Sequence, residues 1–262
     1  MLEFPNINPI AIDLGVVQIR WYAISYIAGI LLSWALILKI IKIKSVYINH
    51  KVISELISNS MIGIIIGGRL GYVIFYNPEY FLNNLIEIFK LWNGGMSFHG
   101  GFIGVIIAVI YTSRVSKTPI MLLADLIAVV SPIGIFFGRL ANFINGELYG
   151  RVTSHSFGMI FPNGGNISRH PSQLYEAFFE GLLLFIIMLL FVKLTNIFNK
   201  RGFVTAFFIS CYGFFRFCIE FFREPDTHIG LLYFNFSMGQ LLSLPMIIIG
   251  FYFMILIIKK NN

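Results

Sequence analysis

Seven long apolar runs leave this chain few ways to fold. They lie near Arg20 to Ile41, Val52 to Tyr76, Phe98 to Ser113, Pro119 to Ile144, Gln173 to Leu194, Phe203 to Phe222 and Met238 to Ile258. Most hold about 20 residues, enough for a helix rising about 1.5 Å per residue to cross roughly 30 Å of hydrocarbon. A transmembrane β-barrel would instead show short segments alternating apolar and polar residues, and these runs are continuous. Of 262 residues, 57% are hydrophobic, 28 are Phe and only 12% are charged, with a mean hydropathy of +0.82. That balance excludes a soluble core under a solvated surface. The expectation is an all-α polytopic membrane protein with seven transmembrane helices, residues 1–262 forming one membrane domain.

Two segments stand outside the spans. Residues 1–17 read as a short outer N-terminal arm, with no basic n-region and no apolar core of the kind a cleaved signal peptide needs. Residues 81–92, Phe-Leu-Asn-Asn-Leu-Ile-Glu-Ile-Phe-Lys-Leu-Trp, are too short to cross and are amphipathic, which predicts a segment lying along the outer surface. It could gate lipid or prop the interface. Cys211 and Cys218 fall seven apart on the sixth span, about two helical turns, so they cannot bond to each other.

Orientation follows from the basic loops. Lys39, Lys42, Lys44 and Lys51 follow the first span, Arg114 and Lys117 the third, Lys193, Lys200 and Arg201 the fifth, and Lys259 and Lys260 the last. Every second loop is basic, which puts those loops and the C-terminus in the cytoplasm and the N-terminus outside. The formal charge of +7 then reflects topology, and no basic run points to nucleic acid. The other basic residues are Lys90 and seven arginines: Arg20, Arg69, Arg139, Arg151, Arg169, Arg216 and Arg223. Topology alone does not ask for arginine there. A guanidinium presents a planar fork to carboxylate or phosphate, whereas lysine is a point charge that snorkels. Ion pairs with Glu147, Glu220 or Asp226 would explain them singly, and a phosphate-handling face would explain them together.

The densest polar motif runs from Gly138 to Gly150, placing Arg139, Asn142, Asn145 and Glu147 at the end of a span. With the orientation above, Tyr22, Arg69, His99, Arg139, Asn142, Arg216 and Glu220 all fall toward the outer side. On span six, Arg216, Glu220 and Arg223 share a helical face with Tyr212, and one acid for two arginines leaves a positive charge for an anion. His99 sits among Gly94, Gly95, Gly100 and Gly101, which give a substrate room; a general base and a packed histidine are equally compatible with that setting. His170-Pro171-Ser172-Gln173-Leu174-Tyr175-Glu176 opens span five with further polar groups.

Gly138 to Gly150 resembles the signature of the bacterial prolipoprotein diacylglyceryl transferases. Similar to that family too are Arg20-Trp21-Tyr22, Gly67 to Tyr72, Gly94 to Gly101, His170 to Glu176, Tyr212 to Arg216 with Glu220 to Arg223, and Ser237-Met238-Gly239-Gln240, so the likeness runs through nearly the whole chain. Ala141 stands where glycine is frequent. The resemblance implies a seven-span enzyme of the bacterial cytoplasmic (inner) membrane, acting at the outer leaflet. It would transfer the diacylglyceryl group of phosphatidylglycerol to the lipobox cysteine of prolipoproteins and release glycerol phosphate, with no metal and no cofactor. It places Tyr22, His99, Arg139, Asn142, Glu147, Gly150, Tyr212, Arg216 and Glu220 at positions that matter; depth and helix face add Arg69 and Arg223. On this reading Arg139 and Arg216 grip the phosphate, Tyr22 and Asn142 complete its hydrogen bonds, and Glu147 and Glu220 orient the arginines.

Two rivals compete. A phospholipid or organic-anion transporter would also need arginines and broken helices, but with polar groups near the midplane and on both sides. An intramembrane serine protease would need a serine poised on a histidine, and Ser97 near His99 lacks a Gly-x-Ser-x-Gly setting.

Overall fold

The computed structural model describes residues 2–5, 7–15, 18–225, 230–232 and 235–260, leaving aside the Asn93 side chain. Asp226 and residues 1, 6, 16 and 17 of the expected arm lie outside the described residues. The helices are α1 (Trp21–Ile43), α2 (His50–Phe75), α3 (Pro78–Asn83), α4 (Phe98–Ser116), α5 (Ile120–Ile144), α6 (Ser172–Glu176), α7 (Leu184–Leu194), α8 (Phe203–Ile219) and α9 (Met238–Lys260). Between α6 and α7 the helix continues as a π-helical stretch, Ala177–Leu183. Short strands β1 (Leu2–Glu3), β2 (Ile10–Asp13), β3 (Gln18–Arg20), β4 (Met159–Ile160) and β5 (Ser168–Arg169) complete the order.

Among the described residues six helical stretches are long and apolar enough to span: α1, α2, α4, α5, Ser172–Leu194 and α9. The expected run to Phe222 ends earlier, at Ile219, giving α8 17 residues or about 25 Å. Its last turn is diverted. The Glu220 amide still donates to the Arg216 carbonyl at 3.1 Å, but Phe222 turns back to Ile219 at 2.9 Å and then accepts from the Arg151 amide at 2.9 Å. The chain thus leaves the helix to pair with a distant loop. The expected amphipathic segment 81–92 is also not one helix. It is the end of α3 followed by two short 3-10 turns, Leu85–Phe89 and Leu91–Asn93, broken at Asn84 and Lys90. Phe81 is buried, whereas most of the large apolar side chains after it are exposed, Phe89 and Trp92 by 78% and 77%.

The chain divides into two compact units, one from Met1–Leu36 with Asp125–Asn262 and the other Ile37–Ala124, with both boundaries falling inside helices, α1 and α5. In the smaller unit α2 packs on α4 through glycine. A Cβ built on Gly67 would land on the Gly100 carbonyl, and one on Gly104 would land on the Gly63 carbonyl. Only a residue without a side chain allows two backbones to come that close. Local caps set the helix starts: the Asn49 side chain accepts from Lys51 N at 2.9 Å, and Ser97 Oγ from Gly100 N at 3.2 Å.

In the larger unit β1 pairs in parallel with β4, which pairs antiparallel with β5, while β2 and β3 form a separate antiparallel pair with irregular register between Ile10 and Ile12. Phe143, Met159 of β4 and Phe161 form a buried cluster with Phe4, Tyr149 and Leu174 packed on it. Fully buried Asp125 of α5 caps α8 from a distance. Its carboxylate accepts from Gly202 N at 2.7 Å, Thr205 N at 2.8 Å and Thr205 Oγ1 at 2.7 Å. This is the reason a charge is tolerated there: it satisfies helix-end amides that have no partner of their own. Cys211 and Cys218 are free thiols, as their spacing required.

Candidate active site

The larger unit holds a buried ionic cluster built from α5, α6, the π-helical stretch and α8. Arg139 sits near the end of α5, with Nε 2.7 Å from Glu176 Oε2 and Nη2 3.9 Å from Glu180 Oε2. Arg216 bridges three carboxylates: Nη1 lies 3.3 Å from Glu176 Oε2 and 3.5 Å from Glu180 Oε1, and Nη2 lies 2.7 Å from Glu220 Oε2. Arg223, just beyond α8, reaches Glu176 Oε2 at 3.7 Å. Three guanidinium groups therefore face three carboxylates. The surplus positive charge expected from span six is not present, because Glu176 and Glu180 come in from the neighbouring helix.

Glu176 and Glu180 are four apart, one at the end of α6 and one in the π-helical stretch, and both are completely buried. Positions four apart share one face of a helix, so both carboxylates come to the same side. In the sequence Glu176 stands out only as the last residue of the His170–Glu176 motif, and Glu180 belongs to no motif. Its signal was available: a glutamate between Phe179 and Gly181 in an apolar run is expensive in lipid and must have a cationic partner.

Glu220 is the best supported of the three acids. Its Oε1 accepts from Ser237 Oγ at 3.0 Å, and Ser237 is fixed by the Gln240 side chain, whose Oε1 accepts from Ser237 N at 3.0 Å. Gly239 makes room for this carboxylate, since a Cβ there would lie 2.6 Å from Glu220 Cδ. That accounts physically for Ser237-Met238-Gly239-Gln240. Tyr212, one turn before Arg216, lies in the field of both Arg139 and Arg216 and of Glu176 and Glu180. On α1, Tyr22 lies beside Tyr26 with ring centroids 5.2 Å apart and the planes tilted by 48°, and Tyr26 feels the Arg139 charge.

Asn142, Glu147 and Gly150 form a neighbouring turn. Asn142 Nδ2 donates to Glu147 Oε1 at 2.8 Å and Asn145 Nδ2 to the same oxygen at 3.3 Å, while Gln173 Nε2 donates to the Glu147 carbonyl at 2.6 Å. Glu147 is exposed and pairs with these amides, not with an arginine, so its expected part in orienting Arg139 and Arg216 is taken by Glu176 and Glu180. Gly150 closes the turn against backbone. Its amide donates to the His170 carbonyl at 2.8 Å, and a Cβ would collide with the Phe222 carbonyl and with His170. The Gly150–Arg223 bridge and the Arg151 Nε bond to the Arg223 carbonyl at 2.9 Å fix where Arg223 leaves α8.

His170 packs among His155, Phe157, Tyr175 and Phe222. Burial, and then the nearby His155, hold its imidazole below its ordinary value of 6.5.

Arg69 and His99 belong to the smaller unit. Arg69 is buried and turned onto the 87–95 segment: Nε donates to the Ile88 carbonyl at 2.8 Å, Nη1 to Gly94 and Gly95, and Nη2 to Glu87 and Lys90. All of its nitrogens are engaged by backbone carbonyls, which makes it a clasp for that segment. His99 is exposed in the first turn of α4, edge-on to Phe98 at 5.7 Å.

The sequence profile described as prolipoprotein diacylglyceryl transferase matches residues 9–256. The chain belongs to that family. Among its prolipoprotein diacylglyceryl transferase relatives, the phosphatidylglycerol–prolipoprotein diacylglyceryl transferase of Rickettsia akari (strain Hartford) is 52% identical over 251 residues, covering 96% of this chain and 97% of that protein. The proteins of the same name from Rickettsia bellii (strain OSU 85-389) and Rickettsia felis (strain ATCC VR-1525 / URRWXCal2) are 50% and 51% identical over 254 and 251 residues. They cover 97% and 96% of this chain and 97% of each relative. Membership and the six long apolar helices make this a multi-pass membrane protein of mostly helical fold.

Proposed function

We propose that this chain transfers the diacylglyceryl group of phosphatidylglycerol to the thiol of a lipobox cysteine in prolipoproteins. The S–H bond breaks, a C–S bond forms at the glycerol carbon, and the C–O bond to phosphate breaks, so that glycerol phosphate leaves carrying the displaced electron pair and, in the balanced reaction, the proton. As written the step needs no metal and no redox cofactor. Relatives of this name that share half of its residues over nearly its whole length support the reading.

The observation that carries it is the state of Arg139. Its Nε is committed to Glu176, its two terminal nitrogens make no hydrogen bond among the described residues, and its side chain is 20% exposed. A guanidinium held through Nε, with Nη2 only loosely paired to Glu180 at 3.9 Å, can take a phosphate on its terminal nitrogens and offset the charge that develops on the leaving group. Arg216, fixed by three carboxylates, supplies the second positive charge. Tyr22, Asn142 and Tyr212 complete the hydrogen bonding, Glu220 and Arg223 hold the frame, and Glu147 and Gly150 shape the turn beside it. Arg69 acts by positioning the 87–95 segment, and His99 is the candidate base for the thiol.

The whole chain acts as one membrane domain with seven spans, the shorter α8 joining the six long helices as the sixth in chain order, with the chain's N-terminus outside and its C-terminus cytoplasmic. The alternating lysine-rich loops support this orientation, which puts the arginine cluster at the outer leaflet of the cytoplasmic membrane. Residues 1–17 then form an outer arm, and 81–92 with their exposed Phe89 and Trp92 rest in the interface. The partners are phosphatidylglycerol, lipobox peptides and the bilayer, and no nucleic acid.

The test uses purified protein in detergent, labelled phosphatidylglycerol and a lipobox peptide, with Arg139→Ala and a cysteine-to-serine peptide beside wild type. Label is expected on the thiol peptide alone and lost with Arg139→Ala. Intact lipid under every condition would overturn the reading and favour transport.

A further inference from the structure

A buried site cannot gain an anion without a change elsewhere. Among the described residues Arg139, Arg216 and Arg223 face Glu176, Glu180 and Glu220, so with all six ionised these six groups balance before any substrate arrives. A phosphodiester brings one negative charge, and leaving that uncompensated away from water is costly. The three carboxylates are not equally placed to yield. Glu176 holds Arg139 at 2.7 Å, and Glu220 holds Arg216 at 2.7 Å and takes a bond from Ser237 at 3.0 Å. Glu180 is completely buried, and among the described residues it has no contact closer than 3.5 Å to a cation and neither of its oxygens has a hydrogen-bond partner. Its ionised form is the least supported of the three.

The geometry points to Glu180 as the group that takes up a proton when the phosphate of the lipid binds, vacating Arg216 and Arg139 for the anion and returning the proton when the phosphate leaves. This rests on the proposed function and deepens it: the site selects a singly charged phosphodiester and couples its binding to one proton. Glu180 is a charge-compensating, positioning residue; nothing requires it to touch the reacting carbon. The groups that face it are Glu176 on its own helix, Arg139 from α5, Arg216 and Tyr212 from α8, and Arg223 beyond α8. Glu176 and Glu220 are each in a 2.7 Å pair with a guanidinium, which leaves Glu180, with no pair shorter than 3.5 Å, as the carboxylate placed to accept the proton.

The experiment titrates short-chain phosphatidylglycerol into the full-length protein in phosphatidylcholine nanodiscs between about pH 6 and pH 9, by calorimetry in two buffers of different protonation enthalpy. Wild type is expected to take up about one proton per lipid bound, and its affinity should weaken about tenfold per pH unit on the alkaline side. Glu180→Gln keeps the shape, removes one negative charge and should bind with no pH slope, more tightly than wild type at the alkaline end. Should that variant fail to fold, the wild-type heats alone decide. Equal heats in the two buffers, a slope that survives in Glu180→Gln, or no lipid binding at all would each overturn the proposal. The same preparations are assayed for transfer to a lipobox peptide. Binding with proton uptake but without transfer would retire the transferase reading and leave the proton-coupled phosphate site standing.

Discussion

Arg139→Lys separates charge from shape at the proposed phosphate grip. The arginine reaches Glu176 through Nε at 2.7 Å, while its nearest terminal nitrogen, Nη2, is only loosely paired with Glu180 at 3.9 Å. Lysine retains the charge but has one nitrogen, so it either stays with Glu176 or turns to the phosphate. The variant therefore loses at least one charge-assisted hydrogen bond in the transition state, worth about 1.5–3 kcal/mol. At about 1.36 kcal/mol per factor of ten, kcat/KM for lipid transfer should fall about 10- to 150-fold. The transfer assay with labelled lipid and a lipobox peptide measures this directly. A value within about threefold of wild type would refute the forked grip. Arg139→Ala is a different perturbation, since it strips a cation from buried Glu176 and Glu180 and should destabilise by about 3–5 kcal/mol. Adding Glu176→Gln to Arg139→Ala should restore much of the thermal stability and none of the transfer. If transfer returned as well, Arg139 would serve only to neutralise Glu176.

Asp125→Ala should lower stability by about 2–4 kcal/mol, because three donors at the start of α8 lose their acceptor; thermal unfolding should register it while KM for lipid stays near wild type. Gly104→Val forces a side chain into the Gly63 backbone and should cost about 1–3 kcal/mol or more, read as loss of protease resistance and folded yield; a normal yield would mean that α2 and α4 can part. His170 should make the fold sensitive to acid. Its pKa is lowered in the folded protein, so its contribution is fully present above its ordinary value of 6.5 and is lost as pH falls through the lowered value. His170→Asn should flatten the drop in melting temperature on acidification, and an unchanged acid profile would assign it to other groups.

Hydropathy placed the helices well because span length is set by the bilayer, and it failed where tertiary pairing intervened. α8 stops at Ile219 since Phe222 is drawn into a bond with Arg151, a partner more than 70 positions back that no periodicity announces. The Arg216–Glu220 pair could be read from its spacing. The role of Arg69 could not, because its acceptors are backbone carbonyls, which any sequence supplies. Asp125 is a similar case: its partners are amides of Gly202 and Thr205, and only a charge within an apolar run hinted at them.

The arginines carry the same lesson further. Counting charges along span six suggested a surplus cation waiting for an anion, yet a bare guanidinium cluster in an apolar fold would be too costly to bury. The fold meets that requirement from another helix, with Glu176 and Glu180 brought to the arginines across the π-helical stretch. Among the described residues a site assembled this way balances three arginines against three glutamates when empty, so affinity for a phosphate cannot come from excess charge. It must come from exchanging a poorly held carboxylate for a better held phosphate. Glu180 is the one carboxylate of the three whose contacts are loose enough for that exchange. The same looseness sets the order of effects expected on neutralising each acid. Glu176→Gln and Glu220→Gln remove short pairs and should weaken the frame, whereas Glu180→Gln should leave the frame standing and change only how binding depends on pH.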